Sequence, residues 1–347
     1  MENLIDKLTE EHSLSIKEYE LLIKAYNAEL AKKVAERAVA LRMMHYGNSV
    51  FIRGLIEISN ICKNDCLYCG IRRSNTSCER YRLTEEEIFE CCKNGYELGF
   101  KTFVLQGGED GHFTDEILCP LLAEIKQACP GCAITLSLGE RPYESYLLLK
   151  GAGADRYLLR HETADKSHYQ KLHPSEMSFE NRIQCLKQLK ELGYQTGCGF
   201  MVGSPFQTTE TLAKDLKFVE VFKPAMCGIG PFIPAPNTPF YNGTTGSVVF
   251  TCYLLSLISL IHPTILLPAT TALGTLDPKG REKGILAGAN VIMPNLSPDS
   301  ARSKYKIYDG KTSNNDMATD LASLKASMQA IGYEIVTDRG DAINLRN

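Results

Sequence analysis

The sequence predicts an α/β chain folded as a (β/α)8 barrel of the TIM type, with an N-terminal helical extension. Three observations point there. From about residue 50 onward, eight short apolar runs alternate with stretches of helical periodicity, the pattern of a parallel sheet with crossover helices. Eight such units over roughly 250 residues is the usual size of a closed barrel. The polar and unusual residues gather just after each run, where barrel enzymes carry their chemistry. An open doubly wound sheet is the alternative reading of the same alternation.

The elements follow in order. Residues 15–46 read as helix: Ser15 and Glu18 form a capping box, and Ile16, Tyr19, Leu22, Ile23 and Tyr26 recur at helical spacing. A second stretch, Leu30 to Tyr46, runs to Gly47, a natural C-cap. The strand candidates are 55–59, 102–106, 133–138, 156–161, 195–202, 226–229, 264–268 and 289–293. Helices lie between them, among them 84–98, opened by the capping box of Thr84 and Glu87, and 180–192. Two Gly-Ala turns, at 150–154 and 286–289, lead from helix into strand. The chain so divides into a helical extension over 1–49, a barrel over 50–310 and a closing segment over 311–347.

Composition narrows the function. The net charge is −3, so no general basic surface invites nucleic acid or anionic lipid. The exception is local: Lys63, Arg72, Arg73, Arg80 and Arg82 crowd one segment, either as a solvated face or beside an anionic ligand. The N-terminus is polar and acidic, without the pattern of a signal peptide. The longest apolar stretch, Val248 to Ile261, is too short to span a bilayer and stops at His262 and Pro263. A cytoplasmic protein without membrane contact is expected. In that reducing compartment its thirteen cysteines are thiols or metal ligands.

The central signal is Cys62-x-x-x-Cys66-x-x-Cys69, directly after the first strand. Thiolates favour iron–sulfur clusters or zinc, and a structural zinc closes its tetrahedron with a fourth ligand. The other CxxC, Cys129-Pro-Gly-Cys132, offers two sulfurs, on a turn at the opposite end of a barrel from the first loop. Three thiolates on a [4Fe–4S] cube leave one iron without a protein ligand, whereas four-cysteine clusters serve electron transfer. The remaining cysteines, at 78, 91, 92, 119, 185, 198, 227 and 252, show no metal spacing and read as small buried hydrophobes.

The CxxxCxφC pattern, with Tyr68 at the aromatic position, resembles the signature of the radical S-adenosylmethionine (SAM) superfamily. The resemblance implies that the open iron chelates the amino and carboxylate groups of SAM. One electron from the cluster then cleaves SAM to methionine and a 5′-deoxyadenosyl radical. Further motifs are similar, in order, to the HydE family of [FeFe]-hydrogenase maturases across roughly residues 50–310. They are Gly54–Cys62 with Cys69–Arg73, Leu105–Asp110, Leu136–Glu140, Arg156–Thr163, Gly228–Pro234, Pro268–Ala272 and Gly288–Asn295. Biotin synthase and methylornithine synthase are neighbouring families in that superfamily.

What this resemblance implies can be stated residue by residue. Gly107, Gly108 and Glu109 match the GGE motif beside the SAM amino group, although many HydE sequences carry serine where Gly107 stands. Arg160, Glu162 and Arg182 match the SAM-binding charges, with Tyr68, Gln106 and Ser137 in the same set. Gly228, Ile229 and Gly230 lie where adenine is accommodated. Thr135, Arg156, Thr270, Thr271, Met293, Tyr305 and Tyr308 map to a barrel interior that holds the substrate, a polar cavity with an anion-binding spot near Arg156 or the two threonines. The implied function is assembly of the dithiolate-bridged diiron part of the hydrogenase H-cluster. Its substrate is then a small iron–carbonyl–cyanide–cysteine complex, with other maturases as partners and a ferredoxin or flavodoxin as electron donor. Some members bind a second cluster on three C-terminal cysteines. The matching stretch, Lys311–Met317, has none, so a single cluster is expected. The alternatives are a radical enzyme of the biotin or methylornithine synthase kind, and an iron–sulfur scaffold that cleaves no SAM.

Overall fold

In the computed structural model, which describes residues 1–310 and 317–343, three helices come first: α1 (Glu2–Glu11), α2 (Ile16–Lys24) and α3 (Ala28–Tyr46). The predicted helix over 15–46 is two helices because Asn27 intervenes. Its side chain accepts the backbone N–H of Leu30 at 2.9 Å and starts α3 afresh. The first helix was not foreseen, yet Ile5 and Leu8, one turn apart, are both fully buried.

The barrel then alternates strand and helix: β1 (Ser49–Ile52), β2 (Gly54–Ser59), α4 (Glu85–Glu97), β3 (Thr102–Gly107), α5 (Asp115–Ala128), β4 (Ala133–Ser137), α6 (Tyr143–Gly151), β5 (Ala154–Leu158), α7 (Lys166–Leu172), α8 (Phe179–Glu191), β6 (Gln195–Cys198), β7 (Met201–Val202), α9 (Thr209–Phe222), β8 (Met226–Cys227), β9 (Gly230–Pro231), α10 (Val248–Ile261), α11 (Thr271–Leu276), α12 (Gly280–Ile285) and β10 (Val291–Ile292). After it come α13 (Asp299–Arg302), α14 (Met317–Ala330) and β11 (Glu334–Val336).

Strands β2, β3, β4, β5, β6 and β8 pair in that order, all parallel. Met226 bridges to Leu266, Pro268 to Val291, β10 pairs with β1, and Leu55 bridges to Asn295. The hydrogen-bonded ring therefore closes, which excludes an open doubly wound sheet. The stave around Leu266 is held by isolated bridges only, because Pro268 has no N–H to give the ladder.

The N-terminal helices share the core of the barrel. Helix α10 is buried from Tyr253 to Ile261, with α1 and α3 packed over it. That cover explains a run of fourteen residues with little polar face. Among the described residues no helix is long and apolar enough to cross a membrane.

At the other end of the chain, β11 pairs with β1, and residues 338–343 pass beneath the barrel. Arg156 is fully buried there. Its guanidinium donates to Thr102 Oγ1 (3.0 Å), the Arg339 carbonyl (2.7 Å) and Asp341 Oδ1 (2.6 Å). The expectation that Arg156 lines a substrate cavity is corrected accordingly: it sits at the middle of β5, a layer below the mouth, and its charge is matched by the closing segment. Thr135, its register partner on β4, is buried in that same lower layer. Arg339 also donates to the Gly131 and Cys132 carbonyls, so the Cys129–Cys132 turn sits at the bottom, both thiols buried. The stretch Lys311–Met317 falls, up to residue 316, outside the described residues.

Candidate active site

The three cysteines stand on the loop that leaves β2 and returns to it through the Ser59–Arg82 bridge. Basic residues knit that loop. Arg80 donates to four carbonyls: Asn60 (2.6 Å), Ile71 (2.8 Å), Arg72 (2.6 Å) and Asn75 (3.1 Å). Arg72 pairs with Asp65 at 2.7 Å. Arg82 grips both oxygens of Asp110 at 2.8 Å, and Ser59 donates to the same carboxylate. Of the five basic residues that stood out in the sequence, three are thus braces. Lys63 and Arg73 remain mostly exposed.

The Gly-Gly-Glu turn after β3 presses against this loop. A Cβ on Gly108 would lie 2.2 Å from the Ile61 carbonyl and 2.8 Å from Cys62 Cβ, so no side chain fits. The Glu109 N–H, next in the chain, points at Cys62 Sγ at 3.4 Å. Burial pushes all three thiols above their ordinary range, Cys69 to about 12, so a metal must displace protons to bind. Among the described residues no three His, Cys, Asp or Glu side chains are placed to hold a single metal ion. The ligands of an iron–sulfur cube bind separate irons rather than one ion, and all three thiols border one cavity.

Tyr68 is held by residues that the sequence did not single out. His173 Nδ1 faces the Tyr169 carbonyl at 2.9 Å and must donate to it. Its Nε2 is then the acceptor for the Tyr68 hydroxyl at 3.2 Å. Burial pushes His173 down to about 3, so this tautomer persists at neutral pH. The imidazole stacks on Tyr169 at 3.9 Å. Met177 Sδ comes within 3.7 Å of Cys66 Sγ.

These groups border a cavity of about 330 Å³ in the C-terminal mouth of the barrel. It gathers Cys62, Cys66, Cys69, Tyr68, Gln106, Gly107, Gly108, Glu109, Ser137, Arg160, Glu162, Arg182, Gly228, Gly230, Thr270, Thr271, Met293, Tyr305 and Tyr308. Three expected residues do not line it: Thr135, Arg156 and Ile229. Ile229 alternates with its two glycines and turns its side chain into the core. Apolar wall residues that the sequence left unmarked include Leu55, Met201, Phe232 and Ile233. So does one carboxylate, Glu57, buried on β2 and fixed by Asn295 Nδ2 at 2.9 Å. Its position in an apolar strand gave no signal.

The charges divide into two kinds. Arg182 is occupied by the protein: its Nε donates to Glu140 at 2.5 Å and its Nη1 to the Arg160 carbonyl at 2.6 Å. Arg160 and Glu162 approach to 3.1 Å as an ion pair, but without hydrogen-bond alignment. Arg160 Nε and Nη2, Glu162 Oε2 and Thr270 Oγ1 are buried with no hydrogen-bond partner. Each such group costs about 1–3 kcal/mol unless something satisfies it. Glu162 also holds a left-handed backbone, φ 64°, rare for a residue with a side chain and common at ligand sites. A guest with a carboxylate for the guanidinium and a hydroxyl or ammonium for the carboxylate fits this set.

The sequence matches the Radical SAM superfamily over residues 56–219. It is 48% identical to the [FeFe] hydrogenase maturase subunit HydE of Thermotoga maritima, over 83% of this chain and 81% of that protein. It is 29% identical to the 3-methylornithine synthase of Methanosarcina acetivorans, over 95% of this chain and 92% of that protein. A solved methylornithine synthase structure superposes with a TM-score of 0.84 at 28% identity, covering 96% of this chain and 97% of that one.

Proposed function

The chain belongs to the radical SAM superfamily and, within it, to the HydE-type [FeFe]-hydrogenase maturases, and from that membership we propose how its own residues divide the work. The observation that carries the reading is the set of buried, unsatisfied groups on Arg160, Glu162 and Thr270 in the cavity that the three thiols border. Cys62, Cys66 and Cys69 hold one [4Fe–4S] cluster. Bound there, the cluster supplies an open iron and one electron, with which SAM is cleaved to methionine and the 5′-deoxyadenosyl radical.

The protein positions both guests. Arg160 takes the methionyl carboxylate and Glu162 a hydroxyl or the ammonium. The locked Tyr68 ring and the side-chain-free Gly228 and Gly230 leave a flat slot for adenine. Deeper in, Gln106, Ser137, Thr270, Thr271, Met293, Tyr305 and Tyr308 line the place for a small polar substrate. The apolar rim of Leu55, Met201, Phe232 and Ile233 keeps water from the reacting centre. The substrate is an iron–carbonyl–cyanide–cysteine complex handed on by another maturase, in the cytoplasm, with a ferredoxin or flavodoxin as electron source. A second reading, an amino-acid enzyme of the methylornithine synthase kind, draws on Glu57, whose buried carboxylate suits an ammonium group.

The test uses protein reconstituted anaerobically with iron and sulfide, then given dithionite and SAM. It should hold about four irons per chain, as one cube requires, and release 5′-deoxyadenosine. No release under these conditions overturns the reading, and a reproducible count near eight means a second cluster.

A further inference from the structure

We propose that His161 and Asp215, two buried residues outside the cavity, are a positioning pair that holds Arg160 and Glu162 in the conformation that receives SAM. The inference rests on those two charges facing SAM, as in the function proposed above. Glu162 sits in left-handed backbone, φ 64°, which must be enforced by its surroundings. The enforcement comes from behind the barrel wall. The Glu162 N–H donates to the Gly199 carbonyl at 3.0 Å, and the Gly199 N–H points back at His161 Nδ1 at 3.3 Å. His161 Nε2 faces Asp215 Oδ1 at 3.4 Å, and the same oxygen accepts the Ala164 N–H at 2.5 Å. One carboxyl on α9 thus faces the residue before Glu162 and holds the second residue after it by a hydrogen bond.

The geometry fixes protonation. An N–H aimed at Nδ1 requires a lone pair there, so the imidazole is neutral and its proton lies on Nε2, toward Asp215. Both side chains are fully buried, and the ring packs 4.5 Å from that of Phe218. A charged pair in such a place is costly. Burial pushes His161 down to about 3 and Asp215 well above its ordinary range, consistent with a neutral acid beside a neutral imidazole. Asp215 Oδ2 and His161 Nε2 make no aligned hydrogen bond, so the two side chains face one another as a contact between neutral groups. Neither residue lines the cavity. The pair acts on SAM only through the backbone that carries Arg160 and Glu162.

The experiment compares His161→Leu, Asp215→Leu and Asp215→Asn in the reconstituted enzyme. Three readouts are taken: iron per chain, the dissociation constant for SAM, and the separate responses of KM and kcat. Both leucine variants should keep wild-type iron and bind SAM about tenfold more weakly, with KM for SAM rising more than kcat falls. Asp215→Asn should rescue affinity to within about threefold, because an amide reproduces the neutral acid's shape and still accepts from Ala164. Where the leucine variants do not fold, His161→Asn keeps an acceptor for the Gly199 N–H but cannot reach Asp215, and must weaken SAM binding by itself. Leucine variants that bind SAM like the wild type overturn the inference. Iron lost in step with affinity also overturns it, since the pair is then merely structural. An Asp215→Asn as weak as Asp215→Leu overturns the neutral-pair assignment. Wild-type protein that fails to bind SAM refutes the proposed function instead, so the two failures are distinguishable.

Discussion

Replacing Asp341 by Ala should strand a cation at the bottom of the barrel without touching the chemistry at the top. The Arg156 side chain is 0% exposed and gives Nη2 to Asp341 Oδ1 at 2.6 Å. Burial opposes ionisation of Asp341, but the hydrogen bond from Arg339 and the charge of Arg156 outweigh it and hold the carboxyl well below the usual range. The pair is therefore intact at neutral pH. Breaking a buried pair costs about 3–5 kcal/mol. Here Asp341 is reached by water, 21% exposed, and Arg156 keeps Thr102, Gln195 and the Arg339 carbonyl, which brings the loss to about 2–3 kcal/mol. With an unfolding entropy of about 0.7 kcal/mol/K for a chain this long, Tm should fall by about 3–4 °C. Differential scanning calorimetry reads the shift, and SAM affinity with 5′-deoxyadenosine release reads the mouth, where no change is expected. The double variant Asp341→Ala/Arg156→Leu should recover part of the loss, because no buried charge is left unpaired. A single variant melting within a degree of the wild type refutes the reasoning. So does an unchanged Tm accompanied by lost turnover, which would return Arg156 to the substrate.

The remaining predictions concern the mouth and the pH response. Alanine at Cys62, Cys66 or Cys69 should abolish the iron–sulfur absorbance and SAM cleavage together, and full iron with full turnover in any one of them would falsify the ligand set. Arg80→Met removes four hydrogen bonds from the cysteine loop; at about 1 kcal/mol or more each, reconstituted iron should be lost to a chelator at least tenfold faster, and a wild-type rate rejects the brace. Arg182→Ala should weaken SAM binding about tenfold, some 1.4 kcal/mol, at constant iron, because Arg182 fixes the Arg160 carbonyl; affinity within threefold counts against it. His161 and His173 are both pushed down to about 3 by burial. Their unfolded forms take up protons near 6.5 while the folded forms do not, so stability is full above that pH and falls as pH drops below it. Each contributes about 2 kcal/mol of loss by pH 5, and urea unfolding at pH 8 and pH 5 should differ by about 4 kcal/mol from these two alone. Because the neutral Asp215 shifts the wild type in the opposite sense, the check is by variant: the loss between pH 8 and pH 5 should shrink by about 2 kcal/mol in His173→Gln, and a variant that keeps the whole wild-type loss would remove that histidine from the neutral state described.

The barrel was legible because strand signals are local. Each stave is a short apolar run bounded by turns, and the loop that follows concentrates polar residues whatever the tertiary details. The cysteine loop was legible for the same reason, its spacing being set within eight residues. Depth along a strand was not. Alternation tells which residues face the barrel axis, but not how far down the axis each one lies. On β5, Leu158 reaches the cavity and Arg156, two residues earlier on the same face, does not. What decides between them is Asp341, 185 residues later in the chain, which no local pattern announces. His173 and Asp215 were missed similarly. Each is an ordinary helix-flanking or helical residue until the fold brings it behind Tyr68 or His161.

The two ends of one stave carry the argument for a binding site furthest. Arg156 and Arg160 are four residues apart on the same β5 connection, one at the bottom of the barrel and one at its mouth. At the bottom the guanidinium meets Thr102, Gln195, Asp341 and the Arg339 carbonyl, so the fold is able to satisfy an enclosed arginine in full. At the mouth Arg160 leaves Nε and Nη2 unsatisfied, beside Glu162 with Oε2 unsatisfied and a left-handed backbone. Each of these features destabilises the protein, and a chain that only had to close its barrel would gain by pairing them as it pairs Arg156. These unsatisfied groups on Arg160 and Glu162 all border the cavity that holds the three thiols. The deficit is removed when a ligand with opposite charges at that spacing enters, so the stability forgone at the mouth returns as affinity for that ligand.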